Sequence, residues 1–166
     1  MLTKLTVRGF KALEDVEIPL GQNVVLIGPN NSGKTSALQA LAMWQTGLQE
    51  WLSRRANGSQ AEARTGVTLN RRALTHTPVA DTRLLWRHLK VTSNAQKILI
   101  QIIVEAETAG SAWTCGLEFY HANAGSVYCR PLTADVSSAS SRLAVPEQAG
   151  AVKLALLPPM SGLAGC

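Results

Sequence analysis

Apolar and polar positions divide the chain into two short strands, a third apolar run, one long helix and then a series of strands. Leu2 to Val7 reads as a strand, with Thr3, Leu5 and Val7 on one face and Lys4, Thr6 and Arg8 on the other, broken at Arg8-Gly9-Phe10-Lys11. Val16, Ile18 and Leu20 alternate with Glu17 and Pro19, which predicts a second strand closed by Gly21-Gln22-Asn23. Val24-Val25-Leu26-Ile27 is a continuous apolar run, the pattern of a buried strand. From Thr35 to about Trp51, Leu38, Leu41, Ala42 and Leu48 recur at helical spacing, interrupted by Gly47. Trp44 lies near the Leu41 side of that helix, so core packing accounts for it better than base stacking.

Ser53 to Thr68 turns polar through Arg54, Arg55, Asn57, Gly58, Ser59 and Gln60 and reads as an exposed loop. Asp81 to Trp86 predicts a short helix with Asp81 as cap, among Arg71, Arg72, Arg83, Arg87 and Lys90. A solvated face accounts for such a scatter of charge more often than a nucleic-acid surface does. The period then changes to two. Ile98, Ile100, Ile102 and Val104 alternate with their neighbours, as do Trp113, Cys115, Leu117 and Phe119, and Thr108-Ala109-Gly110-Ser111 between them predicts a hairpin. Val127 to Arg130 predicts a third strand after Ala122-Asn123-Ala124-Gly125-Ser126. Ala134 to Gly150 is weakly patterned, and Val152, Leu154 and Leu156 suggest a last strand stopped by Pro158-Pro159. Strands joined by short turns imply an antiparallel sheet.

The chemistry is concentrated where the apolar run at Val24–Ile27 meets Gly28-Pro29-Asn30-Asn31-Ser32-Gly33-Lys34-Thr35-Ser36. This is G-x-x-x-x-G-K-T, a P-loop, placed between a predicted strand and a predicted helix. Backbone N–H groups of such a loop wrap phosphate oxygens, and the N-terminus of the following helix adds partial positive charge. Gly28 and Gly33 allow the tight turn, and Asn31 is the non-glycine residue best suited to a left-handed backbone. Lys34 is expected to reach the β- and γ-phosphates of ATP, and the Thr35 hydroxyl to take one place on Mg²⁺.

Composition adds bounds. The 166 residues are 46% hydrophobic, enough for one core-forming domain, and a net charge of +5 permits an anionic partner without requiring one. Cys115, Cys129 and Cys166 are odd in number and lack metal-ligand spacing, so reduced thiols are expected. No signal peptide precedes Leu5-Thr6-Val7 and no run approaches the roughly 18 apolar residues of a membrane span, so a cytoplasmic protein with no membrane contact is expected.

With two strands ahead of the P-loop, the order resembles the N-terminal lobe of ABC-type ATPases of the RecF, SMC and OLD-nuclease branch, including AAA-like ATPases of bacterial defence systems. The matching residues are Leu5 to Lys11, Gly28 to Ser36 and the helix continuing Ala37-Leu38-Gln39-Ala40-Leu41. The resemblance implies an α/β fold with α+β character. It implies a P-loop NTPase half-domain whose mixed sheet would carry an antiparallel, β-rich subdomain after the P-loop helix. Residues 1–52 would hold the first strands, the P-loop and its helix, 53–95 a basic loop and helical segment, and 96–157 the antiparallel strands. The resemblance also places Lys11, with Arg8 nearby, close to the bound phosphates, while Gly9 stands where the family often has Asn.

No apolar run ends in Asp-Glu, the Walker B pair that would hold Mg²⁺ and orient water, and there is no Ser-Gly-Gly signature loop or later switch histidine. His76, His88 and His121 read as surface residues, and Gln101 falls in mid-strand. The resemblance therefore implies binding of ATP and Mg²⁺, with hydrolysis requiring a C-terminal ATPase half that the chain lacks, as in a truncation near Gly165-Cys166. In the complete protein two P-loop subunits would sandwich ATP as a homodimer, linked to DNA transactions or defence. Two alternatives stay open: a non-enzymatic nucleotide-binding module that pairs with a separate ATPase subunit, and a stand-alone P-loop kinase or NTPase.

Overall fold

The computed structural model describes residues 1–56, 66–133 and 142–156, with side chains omitted at 55 and 56. Residues 57–65 of the loop expected over Ser53–Thr68, residues 134–141 of the weakly patterned stretch, Pro158-Pro159 and Cys166 lie outside them, while residues 53–56 continue the helix rather than start the loop. Among the described residues six strands form one sheet in the order β2-β1-β6-β7-β8-β3. They are β1 (Leu2–Phe10), β2 (Leu13–Pro19), β3 (Val67–Asn70), β6 (Ile100–Thr108), β7 (Ser111–Asn123) and β8 (Ser126–Pro131), and β4 (Thr92–Ser93) and β5 (Gln96–Lys97) make a separate small hairpin. The N-terminal hairpin and the later strands belong to the same sheet, because β1 pairs with β6 from Leu2↔Ala106 to Arg8↔Gln101.

One long helix, α1 (Lys34–Ala56), crosses one face of this sheet. Its sheet-facing positions Ala37, Ala40, Met43, Trp44, Leu48 and Trp51 are all buried. They meet Leu5 and Val7 of β1, Ile100, Ile102 and Val104 of β6, and Leu117 and Phe119 of β7 in one core. The Trp44 indole donates to the Cys115 carbonyl at 3.0 Å, so the ring is a core residue as expected. Burial pushes the Cys115 thiol up to about 12 and raises Cys129 as well, which leaves both as inert core thiols.

The β6–β7 hairpin forms where the alternation predicts it, with Ala109 at φ 51° and Gly110 at φ 78° in the left-handed pair that a two-residue turn requires. Alternation on β7 is nevertheless lost, since Glu118 and Tyr120 are buried too. Leu132 N–H donates to the Gly116 carbonyl, continuing the β7–β8 ladder, and Leu143 N–H donates to the Leu132 carbonyl. Glu118, 1% exposed, accepts from Arg130 at 2.5 Å and Arg142 at 2.7 Å. The short helix at Thr82–Leu85 is a 3-10 turn capped by Asp81, whose carboxylate accepts from the Arg83 N–H; the Arg83 guanidinium holds that carboxyl down at about 2. A second short helix, α2 (Glu147–Gly150), follows the chain that covers Glu118.

Four expectations are corrected. All ladders among the described residues are antiparallel, not mixed, because consecutive strands are joined by turns and the run at Val24–Ile27 joins no sheet. Val25 and Ile27 are 81% and 90% exposed, since a strand of this composition needs neighbours on both sides and none is supplied here. Val67 and Leu69, expected at or next to a loop, are buried on edge strand β3, a four-residue run too short for its period to register. Val152 to Leu156 forms no ladder; it is extended chain whose Val152 carbonyl accepts from Gln45 on α1.

Gly47 shows how closely helix and sheet approach. A Cβ there would come within 2.8 Å of Cys129 Sγ and 2.9 Å of Phe119 Cε1. Alanine would gain about 1 kcal/mol of helix propensity, but overpacking costs typically 1–3 kcal/mol, so Gly47→Ala should lower the urea midpoint despite the better helix former. Glu118→Gln leaves two buried guanidinium contacts weakened and should cost about 3 kcal/mol in the same measurement.

Candidate phosphate-binding cleft

The expected loop is built from residue 28 onward. Ser32 N–H donates to the Pro29 carbonyl at 3.3 Å, Asn31 takes φ 65° as anticipated for asparagine, and Gly33 follows at φ 93°. Helix α1 begins at Lys34, with the Gly33 carbonyl accepting from Ala37 N–H at 2.9 Å and no acidic residue in the first turn. An N-terminus of this kind presents uncancelled N–H groups and partial positive charge to an anion. The strand expected to lead into it is absent, so the bend is loop-to-helix.

Gly28 and Gly33 serve different ends. At Gly33 a Cβ would lie 2.7 Å from Leu13 Cδ2, on a backbone that L residues rarely adopt; at Gly28 it would lie 2.9 Å from Ser32 Oγ. Gly33 is thus where the N-terminal hairpin seats on the loop. Together they enclose a cleft of about 740 Å³ lined by Lys11, Ala12, Asn30, Asn31, Ser32, Gly33, Lys34, Thr35 and Ser36.

Two ammonium groups belong to this site. Lys34 Nζ donates to the carbonyls of Gly28 and Pro29, both at 2.6 Å, and to Ser32 Oγ at 3.3 Å. Lys11, itself at φ 50°, donates to Gln39 Oε1 at 2.7 Å, and burial lowers its pKa below that of an ordinary lysine. Of the nine loop residues expected at the site, seven line the cleft, while Gly28 and Pro29 border it and hold Lys34. Arg8 is not brought there. Its guanidinium pairs with Asp15 at 3.1 Å and reaches Gln101 at 3.5 Å, across the neighbouring strands.

Sequence reasoning missed Ala12, Leu13 and Gln39, which no motif marks. His121 also departs from expectation: its ring packs edge-on against Trp86 at 6.0 Å, with Nε2 buried, whereas His76 and His88 are exposed. The described residues hold no cluster of three or more His, Cys, Asp or Glu side chains suited to a metal. The donor set, two ammonium groups, a helix N-terminus and a Thr hydroxyl, fits a metal-bound polyphosphate. No helix among the described residues is long and apolar enough to cross a membrane.

Residues 1–105 match a family model described as AAA ATPase domain. A stretch of 41 residues is 46% identical to the OLD nuclease of Thermus scotoductus, covering 25% of this chain and 8% of that nuclease. The chain therefore spans only a small part of that relative, and the two matches bear out the resemblance to the OLD-containing branch of P-loop ATPases. Because the model covers residues 1–105 of 166, well over half, the chain belongs to the AAA ATPase domain family.

Proposed function

We propose that this chain is the nucleotide-holding N-terminal part of a P-loop ATPase and binds Mg-ATP at residues 28–36 and Lys11. The observation that carries the reading is the cleft in which Lys11 of the β1–β2 turn and Lys34 of the loop flank one helix N-terminus. Phosphate oxygens would replace the carbonyls of Gly28 and Pro29 as acceptors for Lys34, and first-turn N–H groups would take further oxygens. Thr35 would contribute its hydroxyl to Mg²⁺, which neutralises phosphate charge when bound.

Hydrolysis belongs to a further polypeptide segment. The exposed apolar residues Val25 and Ile27, beside a groove lined by Ile18, Leu20, Leu38 and Leu41, favour strand addition from the rest of an ATPase, on the same chain or on a partner subunit. The relative's name, a nuclease, makes a DNA-linked task the associated proposal. A stand-alone kinase is disfavoured by the antiparallel sheet.

Lys34→Ala should weaken Mg-ATP binding by about 30-fold or more in calorimetric titration, and wild-type affinity in the variant would refute the site. Turnover by the chain alone should stay at background and become Lys34-dependent only when the remaining ATPase half is added. Gly33→Ala should cost about 2–3 kcal/mol in urea unfolding and abolish binding, through both its φ and the Leu13 contact. The pH dependence has a definite sign: the cationic form of Lys11 attracts phosphate and its pKa is lowered, so affinity should fall as pH rises through a value below the ordinary lysine range. Lys11→Arg, which stays charged, should remove that fall.

A further inference from the structure

The turn that brings Lys11 into the cleft is held from outside by residues 85–87. Lys11 N–H donates to the Leu85 carbonyl at 2.9 Å, and Phe10 pairs with Trp86 in an isolated antiparallel bridge. The Trp86 indole in turn donates to the Ile98 carbonyl at 2.8 Å, which ties this segment to the start of the β6 hairpin. Arg87 then grips the turn twice: Nη1 donates to the Ala12 carbonyl at 2.8 Å, and Nη2 lies 3.2 Å from Glu14 Oε2. Ala12 lines the cleft, and Leu13, between the two gripped residues, is the side chain packed on Gly33.

Lys11 holds a left-handed backbone without being glycine, a conformation that persists only where the surroundings impose it. We propose that Arg87 is a positioning residue for the phosphate cleft, fixing the turn at residues 10–14 so that Lys11 and Ala12 face the loop at residues 30–36. This rests on the reading of the cleft as a phosphate site. The two grips differ in weight. Glu14 is 77% exposed at its side chain, so its ion pair contributes little, whereas the charge-assisted bond to Ala12 O holds the backbone itself. A guanidinium reaches both partners at once, and an ammonium would reach one.

The test follows the Lys11 Cε resonance through a pH titration by NMR and Mg-ATP affinity by calorimetry, on the full chain, with urea unfolding to establish that each variant is folded. In Arg87→Gln the Lys11 titration should move up toward ordinary lysines, and the dissociation constant should rise about 10-fold or more, the size usual for loss of an outer-shell partner. Glu14→Gln should change either by less than about twofold. In a Lys11→Met background, Arg87→Gln should have no further effect on affinity, because its action passes through Lys11. Arg87→Lys should fall between wild type and Arg87→Gln, and it carries the same reading should Arg87→Gln fail to fold. An unmoved Lys11 titration in a folded Arg87 variant, or additive losses in the double variant, overturns the proposal. Wild-type binding that ignores Lys34→Ala would instead overturn the phosphate-site reading, while the titration still decides the role of Arg87.

Discussion

The seating of Leu13 on Gly33 is the contact on which the site depends. It joins two pieces that are remote in sequence and chemically unlike, an N-terminal β-hairpin and a phosphate-type loop, at a distance no side chain larger than hydrogen allows. The glycine also takes φ 93°, so steric room and backbone freedom are required at one residue. Everything in the cleft is referred to this contact: Lys11 and Ala12 stand on one side because the hairpin sits there, and Lys34 to Ser36 on the other because α1 starts there.

The electrostatics follow from that juxtaposition. The first turn of α1 carries no acidic residue to neutralise its dipole, and two lysines flank it. Each ammonium is hydrogen-bonded within the protein, Lys34 to loop carbonyls and Lys11 to Gln39. Gln39 lies on the same helix as Lys34, so the two cations share one rigid support.

The fold is unevenly finished. On the side of β6, β7 and β8 the core is closed by large buried side chains, and Glu118 is enclosed by two arginines. On the side of β2, the edge of the sheet, the Val24–Ile27 run stands largely in solvent although its composition is that of a doubly covered strand. Family membership spans residues 1–105, which include that run, and the 41-residue match covers only 8% of the Thermus relative.

Local pattern carried much of this. The alternation at Ile100–Val104 and Trp113–Phe119 sufficed for the hairpin, because an amphipathic strand encodes its own faces, and G-x-x-x-x-G-K-T sufficed for the loop, because glycine, lysine and threonine at that spacing have few other uses. Local pattern failed where burial is decided by distant chain. Val24–Ile27 looked interior but lacks neighbours, Val67 and Leu69 looked exposed but gained them, and Arg8 looked like a phosphate ligand but found Asp15 across the hairpin. By itself the sequence determined the glycine-bounded loop at residues 28–33, the helix that follows it and the antiparallel hairpins, since these follow from residues within a few positions of one another. Only the tertiary structure decided that Lys11 enters the cleft and Arg8 does not, and that Gln39 and Arg87 hold Lys11 and its turn, because those choices depend on contacts between positions 7 to 93 residues apart.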